Sequence, residues 1–222
     1  MKVSAINLCF KGYKKHDINN ANFTVETGQC LVISGLSGCG KSLLLSLICG
    51  LVEASSGEVL FDGIRMRQMT IEQDAQFRKR LGVVFETPAL LSNLTIKENL
   101  LLPLTQHYPM LSGSEREQLV VKSCEQFKLQ GFLDDRVEEL SSGMQALASL
   151  ARALICDPEL LIWDAPLSNI DLTWSTQIIE KLKSMKAEHK TMILFTNRES
   201  LIAELADRHL QLVSGELQNS SR

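Results

Sequence analysis

The stretch GLSGCGKS, residues 35–42, decides the fold because it matches the pattern G-x-x-x-x-G-K-[ST]. An apolar run, QCLVISG (residues 29–35), precedes it and is typical of a strand buried on both faces. It leads into KSLLLSLICGL (residues 41–51), a helical pattern that ends near Gly50. A glycine-rich turn that only joins strand to helix is the simpler alternative. Eight residues in pattern, with both flanks in place, favour a phosphate-binding loop.

This loop predicts a nucleotide held together with Mg²⁺. Glycines let the backbone form a ring of N–H donors around phosphate, and the following helix adds its positive N-terminal end. Lys41 reaches the outer phosphates, and the Ser42 hydroxyl can ligate the metal. The predicted phosphate-binding residues are Gly35, Ser37, Gly38, Cys39, Gly40, Lys41, Ser42 and Leu43.

Composition sets the size and excludes several classes of protein. The 222 residues are enough for one large domain, and the 45% hydrophobic content is ordinary for a globular protein with a core. A formal net charge of −3 gives no reason to expect nucleic acid as a partner. Six scattered cysteines with no C-x-x-C pair argue against a zinc site or a disulfide framework and fit a reducing compartment.

Neither a signal peptide nor a membrane helix is expected. The first ten residues, MKVSAINLCF, lack a long apolar core, and no apolar run approaches the roughly 20 residues that span a bilayer. We therefore expect a soluble protein that contacts a membrane only through a partner.

The order of predicted elements indicates an α/β fold. KVSAINLCF, NFTVETG, GEVLFDG and LGVVFE are typical of strands in the first third of the chain. The last third alternates the strand ELLIWD, the helix STQIIEKLKSMKAE, the strand TMILFT, a short helix and the strand HLQLV. Alternating strands and helices predict a mostly parallel sheet.

The middle of the chain, residues 88–153, has a helical pattern and no convincing strand. Ser114 and Glu117 in SEREQ predict a capping box at the start of one helix. Val120, Cys124 and Phe127 then form its apolar face. We expect one domain over residues 1–222, with residues 1–87 and 154–222 as the core and 88–153 as a helical subdomain.

A second motif, LSSGM (residues 140–144), precedes the helical run QALASLARAL and lies about 20 residues before an apolar run ending in Asp164. A serine-capped helix start is the commoner interpretation of LSSGM alone. Its position after the phosphate loop and before Asp164 makes the chain resemble the ATP-binding cassette family, whose motifs follow in the order Walker A, Gln loop, signature, Walker B and switch histidine. The resemblance covers essentially the whole chain.

The resemblance implies a P-loop NTPase core with a mostly parallel sheet, an antiparallel β subdomain and an inserted α-helical subdomain. It implies that two cassettes pack head to tail and that each ATP lies between the Walker A of one and the signature of the other. Ser141 and Gly143, flanking Ser142, would then touch the γ-phosphate held by a neighbour. Either Tyr13 or Phe10 would stack on adenine, or each is simply a core aromatic. Asp171 matches the D-loop carboxylate.

The resemblance also implies partners. ETPALLSNLTIKENLLLPL (residues 86–104) resembles the region that docks on an integral membrane permease. The match is closest to single-cassette bacterial subunits, including those of phospholipid transporters of the Mla type, which share Met144 at the end of the signature. Cell-division and lipoprotein-export cassettes are of similar size. The implied location is cytoplasmic, on the inner face of the membrane, with a second cassette as partner.

A P-loop kinase or GTPase, the remaining alternative, has no use for LSSGM at this position.

Five positions depart from the family pattern. Glutamate replaces the Gln-loop glutamine, serine the first signature glycine, alanine the catalytic glutamate, asparagine the switch histidine, and leucine the hydroxyl residue after Ser42. These positions are Glu86, Ser142, Ala165, Asn197 and Leu43.

These departures predict impaired chemistry with retained binding. Lys41, Ser42 and Asp164 still supply phosphate and Mg²⁺ contacts, whereas Ala165 cannot accept a proton. Asn197 can donate a hydrogen bond towards the γ-phosphate but cannot carry a charge. Glu86 is a possible metal ligand and a candidate replacement base. The hypothesis is weak or absent ATP hydrolysis at this chain's own site, or a structural subunit that lends its signature to a competent partner.

Overall fold

The computed structural model describes residues 1–12, 17–168 and 170–219. The strands in this part of the chain are β1 (Val3–Phe10), β2 (Ile18–Val25), β3 (Cys30–Ser34), β4 (Ser56–Phe61), β5 (Ile64–Arg65), β6 (Leu81–Val84), β7 (Leu160–Asp164), β8 (Thr191–Phe195), β9 (Arg208–Val213) and β10 (Glu216–Asn219). The α-helices are α1 (Lys41–Ile48), α2 (Ile71–Lys79), α3 (Ile96–His107), α4 (Gly113–Gln126), α5 (Ser142–Leu154), α6 (Leu172–Ala187) and α7 (Glu199–Leu205).

A six-stranded sheet in the order β10-β9-β3-β8-β7-β6 forms the centre of the fold. All of its pairings are parallel except that of β10 with β9. Every residue of β3, β7 and β8 is buried, as expected for apolar strands covered on both faces. The α/β prediction and the mostly parallel sheet are confirmed.

The parallel sheet positions the site because its strands end at the same edge. There β3 runs into the phosphate loop, β7 ends at Asp164, β8 ends two residues before Asn197, and β6 ends two residues before Glu86. Ligands of open α/β sheets bind at this carboxyl edge.

A second sheet, in the order β2-β1-β4-β5, is antiparallel throughout. Its apolar side chains share one core with α1 and with one face of the parallel sheet. This core includes Val3, Ile18 and Val59 from the second sheet and Leu44 and Leu45 from α1. Helices α3 to α6 cover the other face of the parallel sheet in a second core. The expected antiparallel β layer is confirmed.

Residues 88–153 form α3, α4 and most of α5. All of these residues are described, and they contribute one isolated bridge, Thr95 with Arg136, but no strand. Helix α5 lies beside β6 and against α3 and α4, so it joins the helical layer to the parallel sheet. The division of the chain into core and subdomain stays a prediction.

The predicted cap of α4 is wrong by two residues. Ser112, not Ser114, is the N-cap, and its capping-box partner is Glu115. Both serines precede a glutamate by three residues, so the pattern alone fits either start. The carboxylate of Glu117 instead forms an ion pair with Lys97 of α3 at 2.8 Å, a contact that leaves it unavailable for capping.

Three of these strands and helices were not predicted, and one of them is the two-residue strand β5. Helix α2 is capped by Thr70 and Gln73 but buries only Phe77, so it lacks an apolar stripe. Strand β10 follows a turn at Ser214 and Gly215 and pairs with β9. None of the described helices is long and apolar enough to cross a membrane.

Candidate nucleotide-binding site

The phosphate loop is shaped by glycines at positions that other residues cannot occupy without strain. A Cβ at Gly35 would lie 2.5 Å from the Leu212 carbonyl oxygen and 2.6 Å from Cys39 Sγ. Gly40, with φ of +105°, is the N-cap of α1. The loop therefore turns tightly from β3 into the start of α1, as the sequence pattern predicts.

Lys41 lies folded over this loop. Its Nζ donates hydrogen bonds to the carbonyl oxygens of Gly35 at 2.7 Å and Leu36 at 3.0 Å. Both acceptors are neutral carbonyl oxygens rather than carboxylates, so they hold the ammonium group without forming an ion pair. The flexible side chain can therefore turn to a phosphate that enters the loop.

The oxygen atoms suited to Mg²⁺ come together at the carboxyl end of β7. Asp164 is buried and hydrogen-bonded to the Ser42 side chain, and the charge of Glu86 acts on it. Burial raises the pKa of the Asp164 carboxyl above its ordinary value, the Ser42 hydrogen bond opposes this rise, and Glu86 adds to it. Hydroxyl and carboxylate oxygens are the ligands that Mg²⁺ prefers, and it commonly takes one or two carboxylates plus substrate phosphates. The three predicted metal ligands therefore fit this ion.

The described residues hold no cluster of three or more His, Cys, Asp or Glu side chains that would bind a metal without help from a ligand. Two carboxylates and a hydroxyl leave coordination positions for phosphate oxygens and water.

These groups line a cleft of about 1200 Å³. Its walls include the predicted site residues Ser37, Gly38, Gly40, Lys41, Ser42, Leu43, Glu86, Asp164 and Asn197. Phe10 lines the cleft together with Lys11 and Gly12. Tyr13, the other candidate for adenine, lies outside the described residues. Gly35 and Cys39 form the loop behind the cleft rather than its wall.

Ala165 lies in the cleft wall where the family pattern has a glutamate. It has a φ of +50°, and its N–H donates to the Phe195 carbonyl oxygen at 2.9 Å. Among the described residues that line the cleft, Asp164 and Glu86 are the carboxylates. Of the described residues in the cleft wall, these two carboxylates are the candidates to accept a proton.

Asn197 faces the backbone of the phosphate loop. Its Oδ1 accepts from the Gly35 N–H at 2.8 Å, and its Nδ2 donates to the Gly35 carbonyl oxygen at 2.9 Å. One side-chain amide thus pairs with both polar groups of a single loop residue. The predicted hydrogen bond to a γ-phosphate stays a prediction.

Several further residues line the cleft without having been predicted, among them Lys11, Thr196 and Arg198. Lys11 follows β1, and Thr196 and Arg198 flank Asn197. The Arg198 guanidinium donates to the Leu167 carbonyl oxygen at 2.7 Å, which ties the segment after β8 to the segment after β7. The sequence offered one signal for Arg198, which is that a cation directly follows Asn197 at the switch position.

The signature residues lie outside this cleft. Ser141 is the N-cap of α5 and accepts from the Met144 N–H at 3.3 Å. Ser141 and Ser142 are exposed, while Gly143 is half-buried. They form a helix N-terminus directed at something other than the cleft of their own chain.

Asp171 has a local role that the sequence analysis did not predict. Its Oδ1 accepts from the Trp174 N–H at 3.0 Å and caps α6, which therefore begins at Leu172. Its predicted contact with a second cassette stays a prediction.

The profile of the ABC transporter family matches residues 18–168. The chain belongs to this family. ABC transporter ATP-binding protein NatA of Bacillus subtilis is 31% identical over 205 residues, which cover 90% of this chain and 79% of the relative. Lipoprotein-releasing system ATP-binding protein LolD of Colwellia psychrerythraea is 30% identical over 216 residues, covering 93% and 82%.

Solved ABC cassettes have the same fold. The dimeric cassette MJ0796, in a post-hydrolysis state bound to ADP and Pi, superposes with a TM-score of 0.90 at 28% identity and covers 99% of this chain and 98% of that one. This chain is thus an ABC transporter ATP-binding subunit, and the resemblance to ATP-binding cassettes is confirmed. Family membership implies ATP and Mg²⁺ in general, which agrees with the phosphate loop and the oxygen ligands at Asp164.

Proposed function

We propose that this ABC cassette binds Mg-ATP in the cleft between the phosphate loop and Asp164 and hydrolyses it slowly or not at all at its own site. The observation that carries the proposal is Ala165 at the carboxyl end of β7, where a methyl group lines the cleft beside the buried Asp164. The chain thus keeps the groups that would bind Mg-ATP and lacks the glutamate that would activate water.

The binding groups account for the first half of the proposal. Lys41 leaves two backbone carbonyls to meet the outer phosphates, and Ser42 and Asp164 offer oxygen atoms to the metal. Mg²⁺ held by these oxygen atoms would neutralise part of the phosphate charge. Phe10 lines the same cleft, which supports it as a residue that would stack on the base.

The second half follows from proton transfer. An attacking water needs a group that orients it and takes its proton, and losing such a group costs on the order of 10²- to 10⁴-fold in rate. Ala165 supplies neither function. Glu86 is the remaining candidate base, but its charge acts directly on Asp164, and this proximity fits a metal ligand better.

The test separates binding from turnover. We expect wild-type protein to bind a fluorescent ATP analogue, Lys41→Ala to lose that binding, and phosphate release to be close to background. Ala165→Glu should raise phosphate release by about 10²-fold, because a carboxylate is restored beside Asp164. Ala165→Gln is the matched control, since it has the same size but accepts no proton.

Turnover by the wild-type protein equal to that of Ala165→Glu, and abolished in Lys41→Ala, would contradict the proposal. Loss of that turnover in Glu86→Gln would then identify Glu86 as the base. If wild-type protein does not bind the ATP analogue, the proposed ATP binding is contradicted as well.

A second candidate function is a non-hydrolytic subunit that pairs with a competent cassette. Its support is the exposed N-terminus of α5, where Ser141 and Ser142 are available to a neighbour, while Ala165 stands in the chain's own cleft where the family pattern has a glutamate. Ser142 adds a side chain at a helix end that would approach phosphate, which weakens the loaned site. A mixture with an intact cassette that hydrolyses ATP faster than either alone would favour this candidate.

We further propose that the partner is an integral membrane permease, that the cassette lies on the cytoplasmic face of the membrane, and that the cargo is a lipid or lipid-anchored molecule. Met144 and the spacing of residues 86–104 support this assignment, as does similarity to a lipoprotein-releasing cassette. However, the methionine import protein MetN of Carboxydothermus hydrogenoformans is also 30% identical, over 93% of this chain and 61% of its own length. Isolation with the native permease and analysis of bound lipid would decide the cargo.

A further inference from the structure

Asn197 and Gly35 make a reciprocal pair of hydrogen bonds, which we call the loop latch. The amide of Asn197 presents a C=O and an N–H on one edge, and the backbone of Gly35 presents the complementary N–H and C=O. The two bonds, at 2.8 and 2.9 Å, join residues 162 positions apart. Both hydrogen-bonding groups of Gly35 are engaged in this way.

We propose that Asn197 is a positioning residue that fixes the first residue of the phosphate loop to the segment after β8. The inference rests on the proposed ATP binding in this cleft and assigns Asn197 to loop geometry rather than to a γ-phosphate contact. Gly35 is packed closely against Leu212 and Cys39. The latch adds two hydrogen bonds to these packing contacts and so restricts Gly35 further.

The latch is compatible with a bound nucleotide. It uses the first N–H of the loop and leaves those that follow Gly35 to the phosphates. The Gly35 carbonyl is shared between Lys41 Nζ at 2.7 Å and Asn197 Nδ2 at 2.9 Å. When Lys41 turns to a phosphate, Asn197 continues to satisfy this carbonyl, so the loop keeps its shape as the lysine leaves.

Asparagine suits this role, and the histidine of the family pattern does not. The two nitrogens of an imidazole point in divergent directions, so a single ring cannot face the N–H and C=O of one residue. An aspartate has the same shape as asparagine but only accepts, and its charge would face the Gly35 carbonyl. Asn197→Asp, Asn197→His and Asn197→Ala therefore remove the latch in three different ways.

Cys39 provides a readout that needs no nucleotide. Its Sγ packs against Gly35, and its thiol is half-buried in the loop. Cys9 and Cys156 are also half-buried but lie away from the latch, so they serve as internal controls within the same chain. Mass spectrometry of the folded protein, after timed exposure to a thiol reagent, gives each modification rate separately.

We expect Asn197→Asp and Asn197→Ala to speed modification of Cys39 about tenfold, while Cys9 and Cys156 keep their wild-type rates. ATP affinity should fall about tenfold in these variants and also in Asn197→His, since each loses at least one of the two bonds. Ser200→Ala, an exposed change just beyond the latch, should leave Cys39 and ATP affinity at wild-type values.

Unchanged Cys39 rates in Asn197→Ala would overturn the latch, as would Asn197→His binding ATP as tightly as wild type. A parallel rise at all three cysteines would show general loosening and would also overturn it. If wild-type protein binds no ATP, the proposed function fails, and the Cys39 rates still decide the latch.

Discussion

Asp164 is a buried carboxylate in the wall of the cleft, with only 3% of its surface exposed. Burial is the main reason that its pKa is raised above the ordinary value of 3.8, and the Ser42 hydrogen bond only partly offsets it. Between 3.8 and the raised value, the folded chain holds a proton that the unfolded chain has released. The stability contributed by this group therefore falls as pH rises through that window.

We predict that Asp164→Asn stabilises the protein at pH 7 in the absence of Mg²⁺ and nucleotide, because the amide has the same shape and carries no charge to bury. The gain should shrink as pH is lowered towards 3.8, where wild-type Asp164 is protonated as well. Urea midpoints in a chelating buffer at several pH values give the comparison. Asp134→Asn, at an exposed position, is the control that should show no such pH-dependent gain. A lower midpoint for Asp164→Asn at pH 7 would contradict this account.

At the residue scale, the site residues that could be predicted from the sequence are those marked by residue type and by a local sequence pattern. Ser42 and Asp164 could be paired because one follows a phosphate-loop lysine and the other ends an apolar run. The contact between Asn197 and Gly35 could not be predicted, because it depends on how two neighbouring strands, β3 and β8, align in the folded sheet. Arg198 is hidden for the same reason, since its partner is a backbone carbonyl at Leu167.

Helix α4 shows how two equal local signals are separated by a tertiary contact. Ser112 accepts from the Glu115 N–H at 3.3 Å, and the Glu115 carboxylate accepts from the Ser112 N–H at 2.7 Å. Glu117, the partner that Ser114 would need, reaches Lys97 of α3 instead. When the helix starts at Gly113, Glu115 pairs with Ser112 and Glu117 pairs with Lys97.

We predict that Ser112→Ala lowers the free energy of unfolding by about 1 kcal/mol, the usual effect of losing an N-cap hydroxyl. Ser114→Ala is the matched control, and it should change stability by less than about 0.5 kcal/mol because Ser114 lies inside the first turn. Urea unfolding with both variants measures the difference. Equal losses, or a larger loss from Ser114→Ala, would restore the sequence-based start of the helix.

The loop that begins at Glu86 is joined to two helices, which no sequence pattern indicated. Asn99 of α3 is fully buried, and its amide bonds the N–H and C=O of Leu91 at 2.9 and 3.1 Å. Arg152 of α5 donates to the Ala89 carbonyl oxygen at 2.7 Å. Hydrogen bonds therefore hold this loop both to α3 and to α5, the helix that Ser141 caps.

At the scale of the whole molecule, the cleft and the predicted signature lie in different parts of the chain's surface. The cleft gathers the phosphate loop, Glu86 and Asp164, while the exposed signature at the start of α5 contributes nothing to its wall. The α/β class and the two sheets could be predicted because strand and helix periodicities are local. Which surfaces meet a second cassette was implied only by the family resemblance, since the residues of a single sequence hold no record of a neighbour.

A cassette that binds ATP without hydrolysing it should form a lasting nucleotide-dependent dimer, since the reaction that would release the two copies is missing. We predict that wild-type protein with saturating Mg-ATP elutes as a dimer and remains so for hours, as measured by light scattering. Ala165→Glu should form the same dimer and lose it as phosphate accumulates, on the timescale set by its restored turnover. Lys41→Ala should stay monomeric throughout. Wild-type protein that binds ATP yet stays monomeric would rule out the homodimer and favour pairing with a competent cassette, because its exposed Ser141 would then need a different Walker site to complete.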